Sequence, residues 1–403
     1  MPYAIGKADC LMHIAMCSPA TLTLLSDLVK HGNEMPPGYR FPLMSQLVRS
    51  YIDCGHQVSL VTHTPEVTET RKWRGEKLTV IVTPRRRARY LASDFFRREV
   101  KLMVNALRNV QPDVIHAHWT YEFADAALQT QRFPVLVTAH DSPWRVAKAM
   151  NTLYRWIRAA YSQFRILPRV RHLTAVSPYI AHELKNRHFF NRPIRIVPNG
   201  IDQAQAAPFP RERPLNSAYP VVASISEWGK HKNIIVVLHA FASFRKFHPR
   251  ATLLLFGNGL GPGEDAAIYC REHGIAAGIE FRGYTEHGET LRELRERTDI
   301  FVHSALEESF CMTILEAMSQ GVPCIGGKNS GAVPWLLENG KAGVLADVRD
   351  PQTIASAMNQ LLVAPALYHR LSTVALARCR SEFNLWQVTK SYLHLLTSIS
   401  SSG

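Results

Sequence analysis

The chain has 403 residues, enough for two domains of about 200 residues with cores of their own. It holds no run of about 18 apolar residues, which excludes an ordinary membrane span, and no basic-then-apolar export signal at its start. Its seven cysteines stand singly with no CxxC pair, so free thiols in a reducing cytoplasm are expected rather than a disulfide framework or a zinc site.

The net charge of +14 is uneven. Residues 1–200 hold 28 Lys+Arg against 14 Asp+Glu, which leaves 19 of each sign for the rest, from totals of 47 and 33. An excess confined to one half predicts an anionic partner for that half, such as a lipid headgroup surface, a phosphorylated acceptor or nucleic acid, unless it only serves solubility.

In chain order, His13–Ser18 reads as a first strand ended by Pro19. Pro36-Pro-Gly-Tyr39 introduces a helix from about Phe41 to Cys54, and Gly55-His-Gln leads into a strand over Val58–Thr62. This β-loop-α-β opening is that of a Rossmann-like half, and Gly38 suits a type II turn after Pro37. Arg85, Arg86, Arg87, Arg89, Arg97 and Arg98 form the densest basic cluster, suited to a phosphate-rich surface or to a solvated face. Asp113–Trp119 is a strand that puts His116 and His118 on one face, with no third metal ligand evident nearby. Pro134–Ala139 is a buried strand running into His140, and a histidine at the carboxyl end of a parallel strand faces the ligand crevice. Residues 144–171 form a helical stretch mixing Trp144, Tyr154, Trp156 and Phe164 with arginines. It suits a membrane interface, or an ordinary helix with its apolar stripe inward, which is the preferred reading. Leu173–Ser177 and Ile194–Asp202 close the half, and the Pro- and Ala-rich segment 203–219 has linker composition.

The rhythm restarts with a strand over Pro220–Ser226, a turn Trp228-Gly-Lys-His-Lys-Asn233 and a helix over Ile234–Phe247. Lys230 and Lys232 sit in the turn after a first strand, where a diphosphate would lie. Thr252–Gly257 is the next strand, and the glycines up to Gly263 read as a turn because Pro262 interrupts them. Ile279–Gly283 and Asp299–Ser304 are further strands. A helix over Met312–Ser319 is stopped by Gly321 and Pro323, and Val322–Ile325 starts another strand. Strand, polar turn and helix N-terminus make an anion site, because the first helical N–H groups have no internal partner. Glu308 precedes this helix and Glu316 lies within it. A carboxylate at that mouth repels phosphate, so it suits sugar hydroxyls, with the phosphate on the N–H groups of Phe310, Cys311, Met312 and Thr313.

Glu308, Ser309-Phe310, Glu316, Ala317-Met318 and Gly321-Val-Pro323 together resemble the signature of the retaining glycosyltransferases of family four (group 1). The resemblance covers nearly the whole chain, strongest over 299–346 and thinnest before 110. It implies the GT-B architecture, an α/β fold of two Rossmann-like domains with the active site in the cleft between them. The implied boundaries are 1–202 for an acceptor domain, 203–219 for a linker, 220–382 for a nucleotide-sugar domain, and 383–403 for a helix packing back on the first domain. Glu308 then contacts the donor sugar, Glu316 the ribose, His140 the reacting sugar, and Lys232 the leaving phosphate. Gly38 becomes a candidate for close approach to the donor phosphate, and Gly283 resembles the turn that contacts the base. Two departures stand out. Cys311 replaces the usual Gly, and Ser226 or Glu227 stands where an Arg is expected, so either Lys230 substitutes or the site is weakened.

The resemblance implies a retaining hexosyltransferase that uses a UDP- or GDP-sugar, with no cofactor and no essential metal. Its acceptor would be a glycan or lipid-linked molecule in surface polysaccharide or glycolipid synthesis. The protein would sit in the cytoplasm, peripheral at an anionic membrane, with no nucleic-acid partner. The alternatives are a nucleotide-sugar epimerase on the same fold and a non-catalytic glycan- or nucleic-acid-binding protein.

Overall fold

The computed structural model describes residues 11–39, 41–91, 94–211, 214 and 218–401, and the chain divides into two units. Unit 1 is Met1–Gly200 with Leu385–Gly403, and unit 2 is Ile201–Asn384.

Unit 1 is built on eight strands: β1 His13–Cys17, β2 Gln57–Thr64, β3 Arg71–Arg74, β4 Leu78–Pro84, β5 Val114–His118, β6 Val135–Ala139, β7 His172–Ala175 and β8 Ile194–Ile196. Their order is β3-β4-β2-β1-β5-β6-β7-β8, and every neighbouring pair is parallel except β3 with β4. Helices cover parallel sheets on both faces, which is why β1, β2 and β5 are almost continuously buried and read as unbroken apolar runs. The edge strand β3 has no such signature, since only Trp73 of Arg71-Lys-Trp-Arg74 is buried.

The helices Pro42–Asp53 and Leu385–Ser400 lie together in this unit, with Thr389 Oγ1 donating to Ser50 Oγ at 2.8 Å. The basic aromatic stretch forms two helices, Pro143–Met150 and Leu153–Tyr161, followed by a π turn over Ser162–Ile166. Asn151, in the left-handed region at φ +44, separates the two, and the Thr152 side chain accepts from Arg155 N to start the second.

Unit 2 has six parallel strands: β9 Val221–Ile225, β10 Thr252–Phe256, β11 Ile279–Gly283, β12 Ile300–Val302, β13 Cys324–Gly327 and β14 Val344–Ala346. Their order is β11-β10-β9-β12-β13-β14. Val237, Phe241 and Phe244 of the helix Ile234–Arg245 join Ile354, Met358 and Leu361 of the helix Pro351–Val363 in one buried core. The chain leaves β9 toward β10 on one side and reaches β12 on the other. The carboxyl ends of β9 and β12 therefore flank the point where strand order reverses, which is where open α/β sheets bind ligands.

Residues 212, 213 and 215–217 of the expected linker lie outside the described set, as do 1–10 of the expected first domain and 402–403 of the C-terminal segment. The rest of the linker is tied to unit 2, where Ala207 N donates to Ser319 O at 2.7 Å and Arg211 N to Ser372 Oγ at 2.8 Å. Among the described residues no helix is long and apolar enough to cross a membrane.

Candidate active site

The turn after β9 and the turn after β12 meet at the reversal point. Ser304 Oγ donates to the carbonyls of Lys232 and Asn233, each at 3.0 Å, and Asn233 Nδ2 donates to Val348 O at 2.6 Å. This lacing delivers Lys232 Nζ to Glu308 Oε1 at 2.7 Å, and His303 Nε2 lies 3.1 Å from the same oxygen. Ala332 N donates to Glu308 O at 2.8 Å and fixes the backbone beneath the carboxylate. Burial opposes the Glu308 charge, but His303 and Lys232 outweigh it and hold its carboxyl at about 2. Burial likewise opposes the Lys232 charge, and Glu308 overrides it, so the ammonium is held on more firmly than usual. His303 is buried, yet Cys311 and Glu308 raise it to about 10. Glu308 therefore sits between two cations.

The helix Met312–Ser319 starts beside this cluster with Cys311 as its N-cap, and the Cys311 side chain makes no capping hydrogen bond to it. Cys311 adopts φ +79, a region that favours glycine, which accounts for the glycine usual there. The Phe310 ring is buried against Trp335 and Phe383, with centroids at 5.9 and 5.8 Å, so only its backbone is left to face a ligand. Ser309, Met312 and Thr313 are half-buried, and Thr313 Oγ1 lies 3.3 Å from His303 Nδ1. Farther along the helix, Glu316 Oε1 meets His287 Nε2 at 3.0 Å, and that contact raises the His287 pKa against the effect of burial.

Lys230 is exposed, and no described contact joins it to Glu308; the second cation there is His303. Glu227, at a position where an Arg is expected, is 3.2 Å from His231. Gly283 ends β11 at φ +65, and a Cβ there would come within 3.0 Å of Gly261 Cα, so the backbone of this turn is closely packed. Sequence reasoning missed His303 and His287. His303 stood inside an apolar strand pattern, and nothing around His287 marks it.

In unit 1 the carboxyl ends of β5 and β6 bring three imidazoles together. His118 Nδ1 is 2.9 Å from His140 Nε2, and the His116 ring lies 4.0 Å from that of His118. The missing third histidine beside His116 and His118 is thus His140, but the two facing nitrogens are spent on each other. His116 is held by Tyr51 at 2.9 Å and Thr138 at 2.8 Å, and His140 stacks on Trp119 at 4.2 Å. Burial pushes His116 and His140 down to about 3 and His118 well below its usual range, so all three are neutral. Gly38, at φ +74, has a local explanation: a Cβ there would meet Ala20 O at 2.5 Å, where the chain crosses Thr21 in an antiparallel bridge.

Several basic side chains of unit 1 are answered from within. Arg158 is half-buried, 2.9 Å from Glu122 and 3.9 Å over the Tyr121 ring. Arg165 and Arg169 reach Asp125 at 3.2 and 2.7 Å, Arg145 reaches Glu183 at 2.8 Å, and Arg86 bridges Asp94 and Glu99 at 2.8 and 2.7 Å. Of the charges expected to face an anionic surface, Arg86, Arg145 and Arg158 are therefore internally paired. Arg87, Arg97 and Arg98 remain exposed, and the Arg89 side chain lies outside the described set.

Two α/β units on largely parallel sheets, the second carrying a cationic turn and a helix N-terminus at its reversal point, place the chain in the double Rossmann-like class. The profile of the family described as "Glycosyl transferases group 1" matches residues 207–377, and that of "Glycosyltransferase Family 4" matches 43–205. The chain belongs to the group 1 glycosyltransferases and is a glycosyltransferase of GT-B type. It is 26% identical over 290 residues to the N-acetyl-alpha-D-glucosaminyl L-malate synthase of Bacillus anthracis, covering 70% of this chain and 73% of that protein. Among solved structures, sucrose-phosphate synthase from Thermosynechococcus elongatus is similar with a TM-score of 0.74 and 17% identity, covering 97% of this chain and 100% of that one. The Anabaena protein Alr3699/HepE in complex with UDP and glucose is similar with a TM-score of 0.66 and 16% identity, covering 96% and 100%.

Proposed function

We propose that the chain transfers a hexose from a UDP- or GDP-sugar to a glycan or lipid-linked acceptor, with retention at the anomeric carbon and without an essential metal. The observation that carries this reading is Glu308 held between Lys232 and His303 at the mouth of the helix Met312–Ser319. As the bond from the anomeric carbon to the phosphate oxygen breaks, negative charge grows on the departing diphosphate. Lys232 and the N–H groups around Cys311 to Thr313 are fixed in advance where that charge would develop, so no reorganisation is needed. Glu308, kept ionised by its two cations, would accept hydrogen bonds from the sugar hydroxyls, and Glu316 from the ribose. His140, neutral and oriented by Trp119 and His118, would hold the reacting sugar. The acceptor oxygen bonds to the anomeric carbon on the face that the phosphate leaves, and its proton passes to that phosphate. The UDP complex of the Anabaena neighbour supports a uridine nucleotide among the donors to try first.

The lipid-linked acceptor and the anionic membrane are supported by a groove of about 760 Å³ in unit 1, where Arg97, Lys101, Arg108 and Arg165 outnumber Asp94 and Asp125 between Phe95 and Phe164. Phe95 is 54% exposed and Phe164 76% exposed, so apolar edges flank a floor of net positive charge. Thermal-shift screening of UDP-, GDP- and ADP-sugars tests the donor assignment, since a ligand bound at 100 times its Kd adds about 2.7 kcal/mol of apparent stability. Release of the nucleoside diphosphate only when an acceptor is present would separate transfer from epimerisation.

A further inference from the structure

The sequence offers no zinc motif, yet the turn between β12 and the helix Met312–Ser319 gathers three different metal-ligating groups. His303, Glu308 and Cys311 each present one ligand atom, and these atoms all lie within 4.8 Å of one another. No other such group occurs among the described residues. We propose that these three side chains form a site for a thiophilic divalent cation, zinc being the best match, and that its occupation competes with the Lys232–Glu308 pair.

Four observations converge on it. The donor set is one sulfur, one imidazole nitrogen and one carboxylate oxygen, a combination that suits zinc and disfavours calcium or magnesium. His303 and Cys311 are 3% and 4% exposed, so the site is sheltered from water. Thr313 Oγ1 touches both, at 3.3 Å from His303 Nδ1 and 3.6 Å from Cys311 Sγ, and so orients the imidazole and the thiol from outside the ligand set. Finally, Cys311 holds φ +79, a conformation that glycine would adopt with less strain. Phosphate binding by the backbone there gives no reason for a side chain at all, whereas a metal ligand does.

A thiolate and a carboxylate match the two charges of the ion, and three protein ligands leave a fourth position open to water or to a phosphate oxygen. Lys232 Nζ already holds Glu308 Oε1 at 2.7 Å, so an incoming ion must displace it, and His303 must release its proton to solvent before its imidazole can coordinate. The site is therefore inhibitory: the ion would take Glu308 from the sugar and detach Lys232. The geometry stands whether or not the donor assignment is correct, so failure of one does not imply failure of the other.

The test is metal binding by the tag-free chain, followed with Zn²⁺ in competition with a chromophoric chelator and with Co²⁺ by absorption. The expected result is one ion per chain with a thiolate-to-cobalt charge-transfer band. That band should vanish in Cys311→Gly, a change that also relieves backbone strain and should leave the fold intact. Loss of a ligand in His303→Gln should weaken zinc on the order of 100-fold, the upper end of what even outer partners contribute. Lys232→Ala should tighten zinc, because it removes the competing cation. An unchanged band and zinc affinity in Cys311→Gly, or Lys232→Ala weakening zinc, would overturn the proposal.

Discussion

At the scale of single residues, Glu308 and Lys232 act on one another before any ligand arrives. Removing the ammonium in Lys232→Ala leaves Glu308 its contact with His303, so the fold should survive while turnover falls about a hundredfold, the usual cost of one missing transition-state donor. Circular dichroism beside a nucleotide-release assay checks both parts; parallel losses of structure and turnover would contradict the assignment. Glu316→Ala removes the acceptor of a ribose hydroxyl pair and should weaken nucleotide binding by about 1.5–3 kcal/mol. The same change removes the contact that raises His287, so its titration should shift toward lower pH, readable by NMR. Calorimetry showing unchanged nucleotide affinity would remove the ribose contact. Glu308, Glu316 and Lys232 were legible in sequence because their spacing and neighbours carry the meaning. His303 was not, since Cys311 and Glu308 hold its charge against burial, and those contacts exist only once the strand and turn have folded together.

At the scale of elements, the ends of β5 and β6 store a pH response. His116, His118 and His140 are neutral in the folded chain, with the first and last held at about 3, whereas an unfolded imidazole titrates near 6.5. Between those values the unfolded state binds more protons. Stability is therefore fully present above pH 6.5 and falls as the pH is lowered toward 3, by up to about 1.4 kcal/mol per pH unit for each histidine. Denaturant melts from pH 7 to pH 4 should show this slope, and His118→Asn should flatten it by one proton. An unchanged slope in that variant would mean that His118 is already charged in the folded state. Most of the strands are legible as apolar runs, β4 and β14 being further exceptions that the reading leaves unplaced, and the helix Met312–Ser319 has the expected ends. The edge strand β3 was missed because three of its four residues are polar and exposed, and pairing with β4 alone defines it.

At the scale of the whole molecule, charge and fold divide along the same line. The excess of positive charge lies in residues 1–200, but much of the basic aromatic stretch is paired with acids 36 to 44 positions away, such as Glu122 and Asp125. Such distant pairing cannot be read from a local run, so the sequence overstates how much cation faces outward. Among the exposed remainder, Arg97, Lys101 and Arg108 with Phe95 and Phe164 should still float the protein with anionic vesicles at low salt. Each cation near an anionic leaflet contributes about 1 kcal/mol, screened as salt rises, so replacing these three by Ser should abolish flotation. A protein that never floats has a soluble acceptor.

The central claim is that the reversal point between β9 and β12 holds the nucleotide of the donor. Titrating UDP and GDP calorimetrically into the chain and into Lys232→Ala tests it most directly. Saturable binding of one nucleotide per chain is expected, weakened at least about tenfold by the loss of a charge-assisted contact of about 1.5–3 kcal/mol. Binding of neither nucleotide, or equal affinity in the variant, would contradict it.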